Sequence, residues 1–394
     1  MSKIEEALQD IYIARAFDLE KVKNASAKKI SKILDDLVRE ITREVEDINP
    51  LGVKRTAYQQ ERLNKLFNMA DKTIKSQYKE IYGGVVGELI TLAEVEAMFA
   101  AKAVNSVLQV NLVDYALSRE VLESLAKDTL IQGAPSEVWW SKQASSLQEE
   151  FKRVMRVSVA RGETLGQMTA RLKGTQDITK LGVRGKIPGV TDEMLRAALG
   201  EPGMAKKAAR NAKALVKSSY QAVMSEARIE VYKQNEDVVR GVVFTAVLDN
   251  RTTVICRAYD GSKFDNDGKP ILGTKLPFKS PPQNTHWGCR SVLVPLMRSL
   301  DDILGLPGGD DMPEGTRSAF SETGMRGQIA GSTNFDGFMR SMSKAEGSKI
   351  IGKKRYELWD SGKITLQDML NSEGNVMSLK ALQEKTEKGL FWAD

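Results

Sequence analysis

The chain has 394 residues, more than one core usually organises, and its 41% hydrophobic and 28% charged residues are those of a globular protein, neither broadly disordered nor membrane-like. Its net charge of +6 is a mild basic excess, compatible with nucleic acid or an acidic partner surface but too dilute over this length to establish either. The opening MSKIEEALQD lacks the basic-then-apolar pattern of a secretory signal, no run approaches about 18 consecutive apolar residues, and two cysteines make no disulfide framework. These features point to a soluble protein made in a reducing cytoplasm, without a membrane span.

From Ser2 to about Asn235 the apolar spacing is helical. Ile30, Ile33, Leu34, Leu37, Ile41 and Val45 line one face of a helix with Ser26 as its candidate N-cap. That helix stops at Asn49-Pro50-Leu51-Gly52, because proline disfavours a helical Asn49 and glycine suits a turn. A second helix begins near Thr56, and the stretch from Val85 to Leu130 is more uniformly apolar than what precedes it. Gly83-Gly84 allows a break in it; Gly133-Ala134-Pro135 is a stronger one, with Ser136 as the next cap. The first boundary falls there, giving an N-terminal helical region over 1–135 and a second helical region over 136–235. Inside the second region, residues 147–173 read as two helices broken at Gly162, the later one capped by Thr164. Residues 174–203, rich in glycine and proline, read as a linker with a short helix over Asp192 to Leu199.

A long helix then runs from about Met204 to Asn235. It turns Ala208, Ala212, Leu215, Val216, Tyr220 and Val223 toward a core and sets Lys206, Arg210, Lys213 and Lys217 along one outward row at i, i+4, i+7 and i+11. A solvated surface accounts for that row; a row facing nucleic-acid phosphates is the alternative.

After Asn235 the pattern becomes β. Val238 to Val247 and Ser291 to Pro295 are short β-branched runs that bracket a loop of about 40 residues holding every Cys and His in the chain. Residues 236–300 therefore form a smaller α+β module, with short antiparallel strands around that loop. Residues 301–394 are an irregular segment to about Gly331, then short helices from about Asn334, one of them capped by Thr365. The expected fold class is mainly α, with long N-terminal helices, the α+β module and a short-helix tail.

The long loop carries LDNRTTVICRAYDG, from Leu248, and PPQNTHWGCR, from Pro281. Cys256, His286 and Cys289 are three ligands of the kind that hold zinc, and Asp249, Asp260 or water would complete a tetrahedron. A metal-free reading stands beside it: both cysteines are small buried hydrophobes, and His286 pins the loop by bonding a backbone carbonyl. Asp249 and Thr252 suit turn capping, Arg251 suits a bidentate bond to Asp260, and Asp260-Gly261 suits a turn into Ser262-Lys263-Phe264.

The two strings, in this order, resemble the signature of the phage Mu F-like head morphogenesis family of minor capsid proteins. An LDxRT strand end, a cysteine, an Asp-Gly turn and a proline-led His-x-x-Cys-Arg segment recur there. Asp249, Arg251, Thr252, Asp260, Gly261, Pro282 and Arg290 carry the likeness, which extends over roughly Leu147 to Leu370 and leaves residues 1 to about 135 unmatched. Many members carry a second cysteine directly after the LDxRT threonine, where this chain has Thr253. A full CxxC plus HxxC site is therefore absent, and the expectation is a loop stapled by polar contacts around Asp249, Arg251 and Asp260, with zinc optional.

The resemblance implies a non-enzymatic virion protein that associates with the portal protein and other capsid proteins during procapsid assembly in the host cytoplasm, and that contacts or accompanies phage DNA on ejection. It implies no small-molecule substrate. Two rivals come from the residues themselves. A zinc-dependent nuclease is one, although a single histidine must then serve as either ligand or base. A DNA-binding scaffold without a capsid role, using the Lys206 to Lys217 row, is the other. No GxxxxGK[ST], GxSxG or GxGxxG motif occurs, which removes NTPase, hydrolase and dinucleotide readings.

Overall fold

The computed structural model describes residues 2–50, 57–173, 203–299, 302–303, 315–321 and 324–388. Helices dominate it, with short antiparallel strands, as the sequence leads one to expect. Among the described residues no helix is long and apolar enough to cross a membrane. The chain forms two compact units that are discontinuous in sequence: one takes Met1–Lys21, Leu89–Gly133 and Ser218–Asp394, the other Val22–Glu88 and Ala134–Lys217. Three long helices, α1 (Lys3–Ile48), α2 (Ala57–Leu108) and α6 (Met204–Gln234), contribute a part to each unit.

The unit holding residues 22–88 and 134–217 is built of helices among its described residues apart from β2 (Ala134–Pro135); α3 (Arg119–Asp128) and β1 (Leu130–Ile131) belong to the other unit. Leu34, Leu37, Ile41 and Val45 of α1 are buried, as are Leu66, Ala70 and Ile74 of α2. With them pack Trp140 and Phe151 of α4 (Ser136–Ala160), whose ring edge meets Phe67 at 6.3 Å between centroids. Gly162, at φ +65°, makes the left-handed stop that ends α4. Thr164 opens α5 (Leu165–Lys173) through a reciprocal cap: its hydroxyl accepts from Gln167 N, and the Gln167 side chain accepts from Thr164 N.

The other unit is built on the N-terminal end of α1, the C-terminal end of α2, the second half of α6 and a four-stranded antiparallel sheet ordered β5-β4-β3-β6. Its strands are β3 (Val239–Thr245), β4 (Lys263–Asp265), β5 (Pro270–Ile271) and β6 (Val292–Met297). β6 is buried along its whole length, so the sheet is a core element and not a solvent-facing ribbon. At Gly241 the β3 backbone comes so close to β4 that a Cβ would lie 2.0 Å from the Phe264 carbonyl oxygen, which only glycine tolerates. The helices of this unit are pinned by Glu96 of α2, fully buried, which accepts from Arg15 Nε of α1 at 2.8 Å and from Arg228 Nε of α6 at 2.9 Å.

Several expectations are corrected. Ser26 does not cap a helix; α1 runs through it, and its buried hydroxyl donates to Glu88 at 2.7 Å. Gly83-Gly84 does not interrupt α2, because the glycines are carried by a long helix whose neighbouring turns are packed. Ser136 is the first helical residue of α4 and makes no cap bond. The loop between β3 and β6 holds α7 (Val254–Tyr259), β4 and β5, and the turn at Asp260-Gly261 leads into β4. The segment after residue 301 is not irregular throughout, since β7 (Thr316–Ser321) and β8 (Gly324–Ala330) pair as a hairpin. The short helix over Asp192 to Leu199 and the linker around it lie outside the described residues.

The remaining short helices follow their local signals. Asn334 caps α8 (Phe335–Arg340) by accepting from Gly337 N at 2.9 Å, and Ser343 with Glu346 forms a capping box on α9 (Lys344–Ile351). Gly352, at φ +85°, separates α9 from α10 (Lys353–Asp360). Thr365 and Asp368 bond reciprocally around a 3-10 turn at Gln367–Met369, and α11 (Leu379–Glu387) follows.

Candidate metal centre and its polar frame

β3 leads into Leu248-Asp249, and the chain then turns sharply enough to start α7 five residues on. Asp249 makes the turn. Its Oδ1 accepts from Arg251 N at 3.0 Å and Thr252 N at 2.9 Å, satisfying donors that the turn leaves free. The carboxylate is gripped from the far side by Arg290, whose Nη1 and Nη2 lie 2.7 and 2.8 Å from Oδ2 and Oδ1. Burial alone would push the Asp249 carboxyl up; the Arg290 fork and the Thr252 bond outweigh it and hold it below the usual value. Arg290 follows Cys289 directly, so this ion pair ties the two halves of the motif together.

The next support is Asp260, at the end of α7. Sequence reasoning pairs it with Arg251, but Arg251 is exposed and its guanidinium lies 3.5 Å from Asp249 instead. Asp260 is held by Arg317 of β7, through contacts of 2.7 Å to Oδ1 and 3.0 Å to Oδ2, with both side chains buried. The same carboxylate accepts from Ala246 N and Phe335 N, each at 2.7 Å, so one side chain joins the end of α7 to the residue after β3, to β7 and to α8. Arg317 is not legible in the sequence because its segment shows no sustained period. The available signal is the alternation that buries Arg317 and Ala319 on one face of a six-residue run. Gly261 sits at φ +85° and donates its N–H to the Phe244 carbonyl at 2.8 Å, a conformation that favours glycine.

Pro282 lies in the turn before His286, after a cis bond from Pro281. Its carbonyl accepts from the Gln132 side chain at 2.7 Å, and the Pro281 carbonyl from Ser225 of α6 at 3.0 Å. These bonds fix the approach of the His-x-x-Cys segment.

Within this frame Cys256, His286 and Cys289 converge. Cys256 Sγ is 3.2 Å from His286 Nε2 and 3.4 Å from Cys289 Sγ, and the three ligand atoms all lie within 4.8 Å of one another. Tetrahedral zinc with Zn–S near 2.3 Å sets its sulfurs about 3.8 Å apart, so the trio needs only a few tenths of an ångström of expansion to hold the ion. Both thiols are buried. Burial and the neighbouring sulfur push Cys256 up. At Cys289 burial acts upward too, but the bonds from Cys256 and His286 prevail and bring its thiol well below the ordinary value. His286 Nδ1 lies 3.1 Å from the Trp287 carbonyl, and a proton there leaves the Nε2 lone pair facing the sulfurs.

The position that would supply a fourth soft ligand is Thr253, the residue before α7. Its buried hydroxyl lies against the Cys256 thiol, and that of Thr285 against the Cys289 thiol. The donor set thus fits a three-ligand zinc site with a hydroxyl beside each thiol, and it does not fit a closed four-ligand site.

The basic row on α6 has no part in this centre. Lys206, Arg210 and Lys213 are exposed, and Lys217 is half-buried; all four belong to the other unit.

Comparison with known proteins gives one family match: residues 149–294 correspond to the family described as Phage Mu protein F like protein. Curated proteins and solved structures give no match.

Proposed function

We propose that this chain is a minor capsid component that joins the portal during procapsid assembly, because residues 149–294 match the phage Mu protein F-like family, which points to a phage head morphogenesis protein. The observation that carries the reading is that the matched segment contains the whole frame from Asp249 to Arg290, with all three soft ligands. A virion location and capsid-protein partners follow from it. The chain's chemistry is accordingly that of a scaffold, in which buried ion pairs hold a surface in shape. Co-expression with portal and major capsid proteins tests this: the chain should co-purify with portal rings and appear in procapsids. Recovery of portal and procapsids free of it would sink the proposal.

The convergence of Cys256, His286 and Cys289 supports a structural zinc with three protein ligands. Bound there, the ion would cross-link α7 to the segment before β6 and add its binding energy to folding. Elemental analysis of purified protein should find about one zinc per chain; its absence under metal-replete expression would return the site to a metal-free thiol pair.

The exposed cations of α6 support contact with phage DNA, during packaging or on ejection. Affinity for duplex DNA that falls steeply with salt is the expected behaviour, and salt-insensitive or absent binding would remove it.

A further inference from the structure

The α6 cations are not the only basic row on the unit formed by residues 22–88 and 134–217. On α1, Lys28, Lys32, Arg39 and Arg43 are all exposed and recur at i, i+4, i+11 and i+15, which sets them within one narrow stripe of the helix. The two rows meet at a pocket of about 520 Å³, whose walls carry Arg39 and Arg43 of α1, Lys173 of α5 and Lys206 of α6. Asp35 and Glu46 also line it, so four cations face two carboxylates.

The ion pairs there are weak. Arg39 reaches Asp36 at 3.7 Å and Lys173 reaches Glu46 at 3.3 Å, with all four side chains largely exposed, the kind of contact that contributes little and is readily exchanged. Arg43 and Lys206 make no ion pair to a described residue. A protein gains nothing in stability by gathering cations this way, because like charges on one stripe repel.

From these observations we infer that the α1 row and the pocket form, with Lys206 and Arg210, a track for the phosphate backbone of duplex DNA. The inference rests on the DNA-contact reading above and relocates its centre from a single helix to three. The length of the row selects the ligand: Lys28 to Arg43 spans about 22 Å of helix, several phosphates along one strand and far more than one small anion needs. Arginine at the pocket suits phosphate, which its planar fork contacts with two hydrogen bonds.

Fluorescence anisotropy with a 30-base-pair duplex over a salt series tests it on the full-length protein. Arg39→Gln/Arg43→Gln should lower the slope of log affinity against log salt by about 2, one for each phosphate that is no longer neutralised, while Arg39→Lys/Arg43→Lys keeps most of it. Lys353→Gln/Lys354→Gln, which removes the same charge from exposed positions of the other unit, should leave the slope near that of the parent. All these residues are exposed, so matched helical circular dichroism is expected and verifies folding. If Lys206→Gln/Arg210→Gln weakens binding and Arg39→Gln/Arg43→Gln does not, the track is overturned while the DNA reading stands. If no variant and no parent binds duplex DNA, both fall. Retention of inorganic tripolyphosphate without duplex binding would also overturn it, leaving a small-anion pocket.

Discussion

Single side chains decide what the candidate centre can hold. Thr253 is the clearest case: it stands where the resemblance leads one to expect a cysteine, and its buried hydroxyl lies against the Cys256 thiol. Thr253→Cys should convert a three-ligand site into a four-ligand one, and the protein should then retain zinc against a chelator concentration that strips the parent. Cobalt substitution offers a second reading of the same change, through a stronger thiolate charge-transfer band. Equal zinc retention and an unchanged cobalt spectrum would mean that position 253 does not face the ion.

Asp249 shows how a residue legible in sequence acquires its strength from partners that are not. The turn it makes is written in Asp249-Asn250-Arg251-Thr252, but the Arg290 grip requires a chain reversal over 41 positions that no local pattern specifies. Its folded value lies below its unfolded one of about 3.9, so the stability it lends is fully present above pH 4 and fades as pH falls through the folded value. The stability gap between the parent and Asp249→Asn should therefore be widest near neutrality and close below about pH 4 in urea titrations. A gap independent of pH would show that the carboxylate's charge contributes nothing and its geometry everything.

At the scale of elements, helices with sustained periodicity are readable and their interruptions are not. The apolar stripe from Ile30 to Val45 predicts part of α1 correctly, yet Ser26 is a capping residue type placed mid-helix, where its hydroxyl has found Glu88. Gly83-Gly84 likewise costs helix propensity of about 1 kcal/mol each, an amount that packing on both sides of α2 offsets. The β7–β8 hairpin escapes because residues 301–331 show many turn formers and little alternation. Glu96 is equally invisible, being one acid in an apolar run, although it organises three helices. Removing it leaves Arg228 buried without its partner, so Glu96→Ala should destabilise by about 3–5 kcal/mol in chemical denaturation. Replacing Arg15, Glu96 and Arg228 together by Met, Leu and Met should recover most of that stability. If the triple variant is no better than Glu96→Ala, the triad is holding the helices by geometry that apolar packing does not reproduce.

The whole molecule sets a limit on what the matched region can be by itself. Residues 149–294 contain the ligands, both motif strings and the Asp249–Arg290 pair, but several partners that fix them lie outside. Arg317, which neutralises buried Asp260, comes later in the chain. Glu96 and Tyr12, which meet Arg228 and Tyr232 of α6, come earlier. Nor is the matched stretch one compact unit, since Ala134–Lys217 belongs to one and Ser218 onward to the other. Cutting it out leaves Arg228 and Asp260 as buried charges without counterions, each a penalty of several kcal/mol against a total stability of about 5–15. The excised fragment 149–294 should show helical circular dichroism without a cooperative melt, and its amide resonances should be poorly dispersed. A variant carrying Asp260→Asn and Arg228→Leu should regain some cooperativity. A sharp, reversible melt of the unmodified fragment would mean that the flanking regions decorate a self-sufficient domain, and the ion pairs to Arg317 and Glu96 would then be consequences of the fold and not its supports.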